Sequence, residues 1–171
     1  MDYLVIYDIR QDFGPWWFPV IGCVIASMAF IMLFALRNRQ MPPRLGQTKN
    51  QAMVLAAVIA FLSLAASASS AVFLYSQERY YRTIFESGKA LVVEGFVENY
   101  KPMSADRGSS NGVFESFTVD GIPFQYSDYI IKPGFRNSAL LGGPIRTGLK
   151  VRIYYYESVI LRLEIASRKQ S

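Results

Sequence analysis

Residues 16–36 read WWFPVIGCVIASMAFIMLFAL and residues 52–75 read AMVLAAVIAFLSLAASASSAVFLY, with no charged side chain in either run. At the helical rise of 1.5 Å per residue, the two runs predict helices of roughly 31 Å and roughly 35 Å. Either is long enough to cross the hydrocarbon core of a bilayer. A cleavable signal peptide is the competing reading of the first run, but it requires a basic leader and a shorter apolar core. Here the leader MDYLVIYDIRQDF carries Asp2, Asp8 and Asp12 against Arg10 alone. The first run is therefore read as an uncleaved membrane helix, paired with the second in a hairpin.

Working outward, the segment between the runs contains Arg37, Arg39, Arg44 and Lys49 and no acid, and Pro42-Pro43 ends any helical continuation. Short basic loops stay in the cytoplasm, which sets both termini outside it. Arg79, Arg82 and Lys89 after the second helix count the other way, partly offset by Glu78 and Glu86. Trp16 and Trp17 open the first helix while Tyr75, Tyr80 and Tyr81 follow the second, so an antiparallel pair gathers them at one membrane face. Gly22 and Ala26 form a small-xxx-small step, and residues 65–71 are all Ala or Ser, including Ala66 and Ser70. Such positions let helix backbones approach, within the hairpin or between copies.

Composition excludes several classes. The chain has 171 residues, 51% hydrophobic and 18% charged, with the charge shortfall concentrated in the two runs. That excludes a single soluble globular domain and a disordered chain. No histidine is present, which removes Ser-His-Asp and Cys-His catalysis and imidazole metal sites. Cys23 is the one cysteine, so there is no intrachain disulfide, CxxC pair or thiolate cluster. No cofactor or metal is expected.

Beyond the second helix, Tyr80/Ile84 and Tyr81/Phe85 continue a helical period, with Gly88 as the stop. The period then becomes two. Strands are expected from residue 91 and over 114–119, 122–127, 149–156 and 160–165. Asp120-Gly121 is a two-residue hairpin signal that sets Val119 opposite Ile122 and Phe117 opposite Phe124. For the last pair, a three-residue loop over 157–159 opposes Val151 to Ile165, Ile153 to Leu163 and Arg152 to Glu164. Five short strands with a brief helix before the fourth predict a small OB-like β-barrel, with an SH3-like barrel as the alternative. The expected organisation is a leader (1–15), a membrane helix (16–36), a basic cytoplasmic loop (37–51), a second membrane helix (52–75), a juxtamembrane helical extension (76–89), the barrel (90–166) and a tail (167–171). The fold class is thus an α+β membrane protein.

The candidate ligand site is Ser127, Asp128 and Arg146, where a carboxylate and an arginine beside the glycine-rich 142–146 segment suit a small anion or a sugar. Strand ends and turn geometry explain the same residues without a ligand. Glu94, Glu98 and Glu115 suggest a glycosidase pair, but alternation along strands reads them as a solvated face. Nucleic acid is not expected: from residue 76 onward 13 Lys and Arg stand against 10 Asp and Glu, without clustering.

The strings VVEGFVENYKPM, ESFTVDGIPFQYSDY, PGF, GGPIRTG and VRIYYYESVILRLEI resemble a recurrent C-terminal domain of uncharacterised bacterial membrane proteins, over residues 91–165. The resemblance implies a bacterial inner-membrane setting and carries no activity, ligand or catalytic residue. Helices followed by a small barrel are also similar in plan to NfeD-type membrane proteins. The function expected is non-enzymatic: a membrane-anchored, extracytoplasmic barrel for interaction or assembly with an envelope protein or a second copy. The alternatives are an envelope ligand-binding or hydrolytic domain at the YSDY and GGPIR segments, and an immunity role.

Overall fold

A computed structural model describes residues 2–12, 14–38, 48–103, 113–129 and 131–167. It divides into two compact units, one made of Pro15–Tyr75 and the other of Met1–Gly14 with Ser76–Ser171.

The first unit is a helical hairpin. Helix α1 spans Trp17–Arg37 and helix α2 starts at Lys49, running on to Glu86 in the second unit. Thr48 and Gln51 form a capping box at the start of α2: the Gln51 amide donates to Thr48 Oγ1 at 3.4 Å and the Thr48 amide to Gln51 Oε1 at 3.0 Å. Small side chains fill the contact, with Ala26 and Ala29 buried on α1 and Ala52, Ala56 and Ala60 on α2. At Gly22 the helices approach closely, since a Cβ there would stand 2.8 Å from Ser67 Cβ. Ser67 Oγ donates to the Pro19 carbonyl at 2.6 Å, satisfying a polar group buried in an apolar unit. The outer surface is apolar, with Phe30, Ile31, Phe34 and Phe61 all exposed. Two helices long and apolar enough to cross a bilayer, with such side chains outward, support a multi-pass membrane protein.

The second unit is built on a six-stranded, wholly antiparallel sheet. Its strands are β1 (Tyr3–Asp8), β2 (Leu91–Lys101), β3 (Glu115–Val119), β4 (Ile122–Tyr126), β5 (Lys150–Tyr156) and β6 (Val159–Ala166), in the order β1-β6-β5-β2-β3-β4. The acidic leader is thus a strand of the sheet. Its Tyr-Leu-Val-Ile-Tyr run has high β propensity, and it pairs with β6 from Tyr3↔Ala166 to Asp8↔Arg162.

This strand overturns the barrel expectation, OB-like and SH3-like alike. Closing five strands requires the end strands to pair, but β1 occupies the free edge of β6, and the sheet stays open from β1 to β4. Pro123 in β4 lacks the amide that a further partner would need.

The Asp120-Gly121 turn has positive φ at both residues, and Phe117 faces Phe124 and Val119 faces Ile122 as the sequence predicts. At the β5–β6 turn the partners are also as expected, with Val151↔Ile165, Arg152↔Glu164 and Ile153↔Leu163. The route differs. The turn has two residues, Glu157 and Ser158, both at positive φ, and a register shift between Tyr154 and Tyr155 supplies the extra residue, Leu161.

One face of the sheet carries the main core, around Val97, Phe117, Val119, Phe124, Val151, Ile153 and Leu163. A smaller core joins Ile9, Ile84 and Leu161. It fastens the residues after β1 and the end of α2 to the sheet. Helix α2 finishes with Gly88 N–H donating to the Phe85 carbonyl and Lys89 N–H to the Ile84 carbonyl, each at 3.2 Å.

Candidate functional site

The segment between β4 and β5 holds all three sequence-predicted ligand residues, at different places in space. Ser127 is buried and its Oγ accepts from the Tyr129 amide at 3.2 Å. Asp128 Oδ1 accepts from the Ser138 amide at 3.1 Å. Arg146 lies elsewhere: it borders a separate cavity of about 790 Å³ with Asp2, Phe96 and Lys150, whereas Asp128 borders one of about 370 Å³ with Tyr7, Asp12 and Arg136. Asp128 and Arg146 thus border different cavities.

Beside Asp128 lies a buried polar cluster that the sequence reading assigned to solvent. Glu115 is fully buried, its Oε2 accepting from the Tyr126 hydroxyl and its Oε1 from the Ala139 amide at 2.8 Å. It thereby ties β3 to the single 3-10 turn Ala139–Leu141. Burial, then the neighbouring Glu115, pushes the Tyr126 hydroxyl far up, and the same causes push Tyr100 up to about 12. Both Glu115 oxygens are engaged and enclosed, so the group holds the fold together and is not offered to a ligand. Glu94 and Glu98 are exposed.

The opposite face of the sheet carries a ladder of charges across four strands. Arg10 pairs with Asp8 at 2.6 Å, Arg162 with Asp8 at 3.8 Å and with Glu164 at 2.7 Å, and Arg152 with Glu164 at 3.6 Å and Glu94 at 2.8 Å. Tyr3 donates to Glu94 at 2.6 Å, and its ring lies under the Arg152 guanidinium at 4.2 Å. Hydrogen bonds from Tyr3 and Arg152 hold the Glu94 carboxyl down at about 2. The Arg10 hydrogen bond lowers Asp8. Arg136 pairs at 3.2 Å with Asp12, which also accepts from the Tyr7 hydroxyl at 3.1 Å. These cations are matched within the sheet unit.

Within the helical hairpin, a groove of about 560 Å³ runs along one side, bordered by Val20, Cys23, Val24, Ser27, Met28 and Ile31 of α1 and by Leu64, Ser67, Ala68 and Ala71 of α2. Cys23 Sγ lies 3.2 Å from Ser67 Oγ. Of the predicted helix-packing residues, Ala26 is buried, Gly22 and Ser70 are half-buried, and Ala66 is exposed. Ser67, not among the predicted packing residues, is buried against Pro19 and Gly22. Arg37 closes α1, and its carbonyl accepts from Lys49 Nζ at 3.4 Å; Arg39 and Arg44 lie outside the described residues. Among the described residues, no three His, Cys, Asp or Glu side chains gather as a metal site.

Fold and anchor together define the class: a multi-pass membrane protein with an open, antiparallel six-stranded sheet. No family model, curated protein or solved structure matches the chain. The expected extracytoplasmic barrel for interaction is corrected accordingly, since the sheet does not close.

Proposed function

We propose that the chain is a non-enzymatic, two-span protein of the bacterial inner membrane, with both termini outside the cytoplasm, that self-associates in the bilayer through its helical hairpin. The groove between α1 and α2 carries this reading. Bulky Val24, Met28 and Ile31 line one wall and small Ala68 and Ala71 the other, so the surface offers both knobs and holes to a second copy. The cations between the helices support a cytoplasmic loop. The bacterial setting rests on the family resemblance of residues 91–165. In the sheet unit, the pairing of Arg10, Arg136, Arg152 and Arg162 supports leaving nucleic acid aside.

Cys23 borders the groove and is the one thiol in the chain, which makes it a native probe. Oxidation in isolated membranes is expected to give a Cys23–Cys23 dimer, and Ala68→Phe, which fills the groove, is expected to abolish it. Monomer alone, in membranes and in mild detergent, would overturn self-association. An inactive alkaline-phosphatase fusion beyond Ser167 would overturn the orientation.

A further inference from the structure

The strand order joins a segment before the first membrane helix to one after the second. Strand β1 precedes α1, while its partner β6 follows the other five strands in chain order. They are held by more than a backbone ladder. The Ile9 amide donates to the Leu161 carbonyl at 2.9 Å and the Ser167 amide to the Asp2 carbonyl at 2.8 Å. Tyr3 reaches three strands over to Glu94, past β6 and β5, and Asp8 meets Arg162. Tyr7 packs edge-on against Phe135 at 5.8 Å, and Ile9 is 1% exposed against Ile84 and Leu161. Hydrogen bonds and apolar contacts of this kind form only if both segments lie in the same aqueous compartment.

We propose that the β1–β6 pair is a topology-sensed latch: the sheet completes only in chains whose two helices have both crossed the bilayer, bringing the leader and the last strand to one side. With one crossing, or three, β1 is stranded across the membrane. Strand β6 then keeps a bare edge of unpaired amides and carbonyls, and Ile84 and Leu161 lose the side chain that covers them. Until β6 is made, β1 has no partner, so the latch shuts last. A chain with misplaced helices thereby presents a loosened sheet unit to envelope or cytoplasmic proteases. The inference rests on the multi-pass reading and is independent of self-association.

The test changes the parity of crossings in the full chain. In a Cys23→Ser background with Leu4→Cys and Ile165→Cys, facing positions in the ladder, a polar or an apolar membrane-spanning segment of equal length is inserted within residues 39–47. Chains are scored when a membrane-impermeant maleimide labels the two cysteines from the same face (polar insert) or from opposite faces (apolar insert). The polar insert is expected to keep the short thiol cross-link and a protease-resistant fragment covering 76–167. Opposite-faced chains are expected to lose the cross-link and to be cleaved within that fragment at least tenfold faster. Adding a synthetic peptide of residues 2–12 to the β6 side is expected to restore resistance, which separates loss of β1 from general damage. Undiminished resistance in opposite-faced chains would overturn the latch, as would failure of the peptide to restore it.

Discussion

Replacing Glu115 gives the sharpest measure of how the sheet unit holds its long loop. Alanine removes the acceptor for two groups at once, the Tyr126 hydroxyl and the Ala139 amide, and the site is closed to water. Each stranded donor costs about 1–3 kcal/mol, so Glu115→Ala is expected to lose about 2–6 kcal/mol. That is a large share of the ~5–15 kcal/mol that stabilises an ordinary domain. Glu115→Gln keeps one acceptor oxygen and sets an amide donor against one of the two partners, for a loss of about 1–3 kcal/mol. Tyr126→Phe removes one bond and falls in the same range, and its effect should shrink in the Glu115→Ala background because the two residues share an interaction. Urea unfolding of the full chain in detergent micelles, followed by tyrosine near-UV circular dichroism, reads the effect. Tryptophan fluorescence would miss it, since Trp16 and Trp17 both lie in the helical unit. A Glu115→Ala midpoint shift equivalent to less than ~0.5 kcal/mol, typical of surface changes, would refute the assignment of Glu115 as the tie between β3 and the 3-10 turn.

Three further outcomes follow from the same geometry. Ile9→Ala should destabilise the sheet unit by about 2–5 kcal/mol, measured by the same unfolding curve; an unchanged curve would detach the leader from the fold. Acid should loosen the β1 side of the sheet. Glu94 and Asp8 are depressed in the folded state, so their stabilisation is complete above the ordinary carboxylate range of about 4 and is lost as pH falls toward the folded value, about 2 for Glu94. Lower amide protection in β1 and β6 at pH 3 than at pH 6, each rate taken relative to the intrinsic exchange rate at that pH, with β3 and β4 unaffected, would register it. Gly22→Leu should drive the hairpin apart, because even a Cβ meets Ser67 at 2.8 Å; loss of a cross-link between cysteines placed at Ala26 and Ala60 would report the separation.

The two helices and the β3–β4 register were legible because their signals are local: uncharged runs in one case, and in the other a turn dipeptide flanked by alternating apolar residues. Strand β1 was hidden for the opposite reason. The leader's acids speak against a cleavable signal peptide and not for a strand, and its partner lies more than 150 residues on, so no neighbouring pattern marks Tyr3–Asp8 as half of a ladder. The barrel was inferred from strand count, whereas closure depends on which strand takes the last edge. At the β5–β6 turn, Glu157 and Ser158 adopt positive φ without glycine, a choice that composition does not announce. Glu115 could have been found, since a period of two places it on the face of Phe117 and Val119, and a carboxyl sharing that face has to be buried and partnered.

Leu161 is the surplus residue of β6, and the ladder has no need of it. Without it, the partners from Tyr156↔Val159 to Val151↔Ile165 would run in one unbroken frame. Its presence lets two successive residues of one strand serve different interiors, Ile160 the main core and Leu161 the smaller one. A one-residue deletion there would leave a regular sheet without the buried side chain that joins Ile84 at the end of α2 to Ile9 after β1. Tolerance to such a deletion would therefore be governed by the smaller core around Ile84 and not by β-pairing.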